Sequence, residues 1–382
     1  MKRLTLWSSA LTLIATLAVA VPARAQMGMS MGNGWSFGFS GNVNAFAVYE
    51  KAGTDGTTPA GLVNVGTKGF DIRGGMLPAM ATFSARGRDD GRDLGATFTF
   101  APEIQCAGGS LTCTGSQLDV RQAFLTVGGV HGGTLLAGRD LGLFGRGAIL
   151  NDMTMFGTGQ TGGPGGGTTT LGRFGTGYNY PNYTAQMTWS SAAGKSTQFS
   201  IGLFDPTGFG TFTQTQTPRV EARWTMNSGN HNIWLEGLAQ SAKDPAAKSL
   251  TSVGGSGGFK WWNNKTNVVV TAFYGSGIGT LVNFLGANSG PDANTTLGGY
   301  AQAMFTMNQR TNFGVSYGLN QLSTANSGPK FTSSSIVAGL YNKYGKALRS
   351  TLEGTYATDS DDTSGNKNNT GFTLSAGVLL FW

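Results

Sequence analysis

The side chains best placed for chemistry in this 382-residue chain are charged groups spaced two apart. Arg219, Glu221 and Arg223 alternate with Val220, Ala222, Trp224 and Met226, so three charges share one face of an extended segment and apolar groups share the other. In a soluble sheet the charged face would be a solvated surface; where the apolar face meets lipid, it lines a water-filled interior. Leu118, Val120, Gln122 and Phe124 likewise alternate with Asp119, Arg121 and Ala123. Turning Arg121 toward lipid would cost about 2–4 kcal/mol at mid-bilayer, so an inward direction is expected. Arg139 shares a side with Leu135 and Ala137, which places it near a rim or beyond a bulge. The stretch from Asp140 to Gly172 keeps no alternation, is crowded with glycine between Gly162 and Gly167, and carries Arg146 and Asp152. A loop of that length in a compact fold is functional or disordered, and is read here as functional.

Covalent and metal chemistry find little support. His131 and His231 both fall in expected short turns, and no Gly-x-Ser-x-Gly elbow stands in a strand-to-helix setting, Gly254-Gly255-Ser256-Gly257-Gly258 included. There is no Cys-x-x-Cys-His haem motif. Neither enzymatic activity nor a cofactor is expected. Cys106 and Cys113, with six residues between them, are expected to close a small loop disulfide worth about 2.5 kcal/mol in an oxidising compartment. Asp359, Asp361 and Asp362 precede Gly365 one place too late for a calcium loop, and are read as a solvated loop that divalent cations could bridge to lipopolysaccharide.

The elements that must position these residues are strands. Counting back from the terminus, Trp382, Leu380, Val378, Ala376, Leu374 and Phe372 alternate with small or polar residues, the pattern of a strand with one face toward lipid. From Trp35 to Tyr49 the odd residues include Phe37, Phe39, Val43 and Tyr49 and the even ones Ser36, Ser40, Asn42 and Asn44, so the odd side faces lipid. A loop is expected from Lys51 to about Gly75, and single strands over Gln117–Gly128 and Tyr178–Trp189. Short turns at Asn227–Asn230, Asn263–Lys265, Asn308–Arg310 and Lys343–Gly345 alternate with longer loops. The count is sixteen, both ends on the short-turn side, which defines an all-β, antiparallel up-and-down transmembrane barrel. Trp189, Trp224, Trp261, Trp262 and Trp382 lie near the short-turn rim, as an interfacial aromatic belt requires, although neighbouring Trp261 and Trp262 cannot both face lipid.

The rest of the chain agrees with export to an outer membrane. Lys2 and Arg3, an apolar run from Leu11 to Val21, and Ala23-Arg24-Ala25 form a cleavable signal peptide over residues 1–25, leaving residues 26–382 as one barrel domain. Removal of Lys2, Arg3 and Arg24 takes the net charge from +7 to +4, too weak and too spread for a nucleic-acid partner. No later run of about 18 apolar residues could form a spanning helix. With 62 glycines and 12% charged residues, the composition suits a wall wet on one side and greasy on the other.

At this point the chain resembles the trimeric general porins of Gram-negative bacteria. Val120-Arg121-Gln122-Ala123-Phe124 followed by Gly132 to Gly138-Arg139 is similar to that family's fourth and fifth strands; Pro181-Asn182-Tyr183 and Ser200 to Pro206 are similar to the next two. The resemblance implies an inward-folded third extracellular loop, here Asp140 to Gly172, a homotrimer, and passive diffusion of small hydrophilic solutes and ions with a slight preference for anions. It departs in ending on Trp382, where the family ends on Phe, and in a glycine-rich, acid-poor third loop. On this reading Arg121, Arg219 and Arg223, with Arg139 nearby, form a basic wall facing Asp152 and Asp140 across a constriction lined also by Arg146 and Glu221. The competing reading is that the arginines pair with Glu221, Asp119 and Glu103 to hold the wall together. A substrate-specific channel and a plugged barrel with a structural or adhesive role are the functional alternatives.

Overall fold

The computed structural model describes residues 27–32, 34–54, 68–102, 118–161, 170–192, 194, 196–363 and 368–382. The expected signal peptide (residues 1–25), Glu103, Cys106, Cys113 and Gly162–Gly167 lie outside the described residues. The chain forms a closed sixteen-stranded antiparallel barrel. Its strands are β1 (Ser36–Thr54), β2 in two pieces (Lys68–Arg73 and Met80–Asp89), β3 (Arg92–Pro102), β4 (Leu118–Val130), β5 (Gly133–Leu141), β6 (Tyr183–Ser191), β7 (Thr197–Phe204) and β8 (Arg219–Ser228). The second half comprises β9 (His231–Lys243), β10 (Ser249–Trp262), β11 (Thr266–Ser276), β12 (Thr295–Thr306), β13 (Thr311–Ser323), β14 (Lys330–Tyr344), β15 (Leu348–Asp361) and β16 (Asn369–Phe381). A short segment, Met27–Ser30, folds back on the start of β1.

Closure follows from the last strand. β16 pairs with β1 from Asn42↔Phe381 to Thr54↔Asn369, and Gly41 and Trp382 exchange backbone hydrogen bonds of 3.1 and 3.2 Å. A ring leaves no unpaired edge, and in hydrocarbon an unpaired edge costs several kcal/mol per group. The alternation orients the wall. Val43, Met187, Leu235 and Leu352 are about half exposed on the outside, while Asn44, Thr188, Glu221, Ser316 and Ser375 are buried on the inside. In the short turns Asp90 and His131 adopt positive φ before Gly91 and Gly132, the geometry that joins twisted antiparallel strands tightly.

Three expectations change. Lys68–Arg73 is not loop: it continues β2 against Phe46–Lys51, and only residues 74–79 leave the ladder. In that break Gly75 N–H donates to Asn44 Oδ1 at 2.7 Å and Asn44 Nδ2 to the Leu77 carbonyl at 2.8 Å. In β4 the register jumps between Thr99 and Phe100, which pair with Gln122 and Val120, leaving Arg121 as the bulged residue. The parity then reverses, so Phe124 is buried and Leu125 is exposed rather than Phe124 sharing the side of Leu118 and Val120. Finally, β6 begins at Tyr183; Tyr178 and Tyr180 belong to the preceding loop.

The inner face is not uniformly polar. Phe46 and Val48 of β1, Trp234 of β9, Val269 of β11, Tyr300 of β12 and Leu379 and Phe381 of β16 occupy inward positions and pack with Ala148, Ile149, Met155 and Tyr178. A solvated lumen gains nothing from apolar groups there; a lumen holding an apolar loop surface does.

Candidate functional site

The connection between β5 and β6 carries a short helix, α1 (Arg146–Asn151), a 3-10 turn (Met153–Phe156) and a small ladder of Gln160–Thr161 with Thr170–Gly172. Carboxylates on strands accept its backbone N–H groups. Glu221 of β8 accepts from Leu143 at 2.6 Å and Phe144 at 3.0 Å; Glu236 of β9 accepts from Gly145 at 2.8 Å and Gly147 at 2.7 Å. Glu353 of β15 accepts from Thr158 at 2.6 Å, Gly159 at 2.9 Å and the Tyr341 hydroxyl at 2.5 Å. Hydrogen bonds to an ionised acceptor contribute about 1.5–3 kcal/mol each, more than neutral pairs. Close approach depends on glycine: an added Cβ at Gly157 would overlap the Glu353 carboxyl, and one at Gly147 would overlap the Trp234 ring.

Neutral groups complete the attachment. Gln302 of β12 accepts from Met153 N–H at 2.9 Å and donates to the Asn151 carbonyl at 2.7 Å, and Tyr300 donates to the Ala148 carbonyl at 2.7 Å. Thr158 and Thr161 meet Ser375 and Thr373 of β16 at 2.7 and 3.1 Å between hydroxyls. Asn320 of β13 accepts from Gly177 N–H at 3.0 Å, and Arg173 donates to Ser316 and Ser335.

The arginines are matched locally rather than arrayed against acids on the loop. Arg219 pairs with Glu221 at 2.8 Å and lies 5.4 and 5.5 Å from the Phe204 and Phe284 ring centroids. Arg223 pairs with Glu236 at 3.0 Å, so two of the acids that hold the loop, Glu221 and Glu236, are also neutralised from the strand side. Arg121 pairs with Asp119 at 2.7 Å, donates to the Tyr180 hydroxyl at 3.1 Å and sits over the Tyr183 ring. Arg139 stands apart: it is exposed, shares the face of Ala137 and Ala185, and donates to the Val120 carbonyl at 2.9 Å. Arg146 bonds to Asp140 at the end of β5 at 3.0 Å and to the Gly142 carbonyl of its own loop at 2.9 Å.

Asp152 does not face that set. It is buried, accepts from Thr154 N–H and the Tyr178 hydroxyl at 2.9 Å each, and belongs to the loop's own interior. Burial pushes its carboxyl above the ordinary range and pushes the nearby Arg173 guanidinium down, each being drawn partly back by the other's charge.

Sequence reasoning missed Glu236, Glu353 and Arg173. Glu353 alternates with Leu352 and nothing local in the sequence distinguishes it from a charge facing water. Apolar residues at inward parity, Phe46, Val48, Leu379 and Phe381, are the signal that could have announced their packing against Ala148, Ile149 and Met155.

Between the loop and the short-turn end lies a cavity of about 570 Å3. Asn151 and Phe156 of the loop bound it, with Lys260, Trp262, Lys343 and Arg349 on strands. Trp262 therefore turns inward, which resolves the Trp261–Trp262 ambiguity. Lys260 donates to Asn151 Oδ1 at 3.0 Å, and the Arg349 guanidinium lies 4.2 Å from the Phe156 ring centroid and 5.0 Å from that of Phe381. Among the described residues, none of these three cations is in an ion pair.

No protein-family model matches the sequence, and no curated protein matches it by sequence. Solved structures do match by shape. The outer membrane channel DcaP of Acinetobacter baumannii matches with a TM-score of 0.67 at 16% identity, covering 93% of this chain and 99% of that one. An anion-selective porin from Comamonas acidovorans matches at 0.66 and 10%, covering 91% and 100%. Salmonella typhi OmpF, in complex with daunomycin, matches at 0.55 and 13%, covering 92% and 100%. A closed antiparallel ring, apolar outside, crosses a bilayer by strands alone, and this architecture places the chain in the bacterial outer membrane. The chain has the fold of the general porins, over nearly its whole length.

Proposed function

We propose that the chain is an outer-membrane diffusion channel for small hydrophilic solutes and ions, weakly anion-preferring, whose bore is set by the β5–β6 loop lying across the lumen. One observation carries this reading: the same loop is bonded to Glu221 on β8 and to Ser375 on β16. Those strands face each other across a ring of sixteen, so a segment tied to both lies between them. A sixteen-stranded ring is wide enough for an aqueous path, and a loop inside it restricts that path by size and charge.

Paired arginines favour the structural role for Arg121, Arg219 and Arg223, so the anion preference rests instead on Lys260, Lys343 and Arg349, which have no ion pair among the described residues. A homotrimer fits the aromatic outer patch, where Phe39 lies 4.9 Å from Phe83 and 5.8 Å from Trp382, centroid to centroid. The proposal includes export by removal of residues 1–25 and a Cys106–Cys113 disulfide in the loop between β3 and β4.

The test is planar-bilayer recording of the refolded protein under a salt gradient. Stepwise openings, in triplets for a trimer, with a reversal potential displaced toward that of chloride are expected; a cation-directed potential would reject the selectivity. A second reading, a barrel closed by the same loop, is favoured by the burial of inward groups on many strands, including Asn44, Thr188, Glu221, Ser316 and Ser375. Persistent absence of openings, together with impermeable proteoliposomes in a swelling assay, would select it.

A further inference from the structure

We propose that the cavity at the short-turn end is a binding site for small anions carrying two or more negative charges on carboxylate or phosphate groups. This deepens the channel reading by naming a solute class, and places a recognition site on the periplasmic side, where short turns lie.

Lys343 and Arg349 are register partners on the adjacent strands β14 and β15, so two cations are held side by side at one wall of the cavity. Like charges directly opposite each other on a sheet destabilise it unless something neutralises them. Among the described residues no carboxylate does so. Asp152, the acid that lines the cavity, has one oxygen occupied by Thr154 N–H and the other by the Tyr178 hydroxyl. Lys260 adds a third cation from β10.

Arg349 is the centre of the site. The residue is only 8% exposed, and its guanidinium packs into the corner formed by Phe156 and Phe381, whose rings meet edge to face with centroids 6.2 Å apart. Packing against both rings restrains the side chain, and a guanidinium fork is the group that grips a carboxylate or phosphate with two parallel bonds. Asn267 Oδ1, buried in the same lining, has no hydrogen-bond partner among the described residues. Such an acceptor suits a hydroxyl group on the same solute. The volume lies within the range of small-molecule sites, and a singly charged or neutral solute would leave two or three cations unmatched.

Isothermal titration of the refolded full-length protein in detergent tests the site, with pyrophosphate and citrate as probes and glucose as the uncharged control. Saturable binding of at least one anion and none of glucose is expected. Pyrophosphate alone would assign phosphate chemistry, citrate alone carboxylate chemistry. Arg349→Gln and Lys343→Gln should each weaken binding about tenfold, the loss of one charge-assisted contact of roughly 1.4 kcal/mol or more. Lys330→Gln, on the long-loop rim, should leave it unchanged. Should Arg349→Gln fail to fold, Lys260→Gln provides the same comparison. No heat with either anion, or unaltered affinity in folded Arg349→Gln or Lys260→Gln protein, overturns the proposal. Because binding is read without a membrane, it does not depend on conduction; a conducting barrel that binds neither anion would reject this site and leave the channel reading intact.

Discussion

Removing the Glu353 carboxylate should release one end of the loop while leaving the ring closed. In Glu353→Ala the Thr158 and Gly159 N–H groups, held at 2.6 and 2.9 Å, lose their acceptor, and Tyr341 loses its partner. An orphaned buried donor costs about 1–3 kcal/mol, so the two backbone donors alone make the held state about 2–6 kcal/mol less favourable. At 3 kcal/mol the ratio of held to released loop falls roughly 150-fold, since each 1.36 kcal/mol is a factor of ten. The barrel itself should persist, because β15 keeps both its ladders, to β14 and to β16. Single-channel recording should show higher mean conductance and more open-channel noise, with Glu353→Gln intermediate because an amide oxygen still accepts but carries no charge. Folded Glu353→Ala protein whose conductance and noise match the wild type would refute the reasoning.

Gly157→Ala should act in the same direction through sterics, because its Cβ would collide with the Glu353 carboxyl; protease sensitivity of the loop in the folded protein reads the release, and unchanged resistance would count against it. Arg219→Gln and Arg223→Gln should cost about 3–5 kcal/mol of stability by leaving Glu221 and Glu236 buried without their cations. Their reversal potentials should move less than that of a Lys260→Gln, Lys343→Gln double variant; the opposite order, with unfolding midpoints in urea unchanged, would restore the arginine-wall picture.

Much of the barrel was legible because its signal is local and repeated. A period of two over about ten residues, broken by turn residues, needs no knowledge of distant parts of the chain, and β1, β8 and β16 could be oriented from their own residues. Where a single inserted residue changes parity, as at Arg121, the pattern on either side remains valid but the two halves no longer agree, and periodicity cannot announce that. The site was legible in residue type and not in partnership. Arg219, Glu221 and Arg223 do share an inward face, yet Glu221 grips the Leu143 and Phe144 amides from 77 to 78 residues away in sequence, and Glu353 reaches across 195 to Thr158. Which acid meets which backbone group is decided by ring closure. The expectation that acids on the loop meet arginines on the wall came out reversed: wall acids meet loop amides.

The central claim is that a loop tied across the lumen governs passage through it. Thr158 Oγ1 and Ser375 Oγ lie 2.7 Å apart, so Thr158→Cys with Ser375→Cys, in a chain whose Cys106 and Cys113 are replaced by Ser, should cross-link on oxidation. Bilayer recording of that protein before and after reduction is the direct measurement. The account expects steady openings in the oxidised form and larger, noisier openings once the bond is reduced; failure of the folded protein to cross-link, or identical currents in both forms, would contradict it.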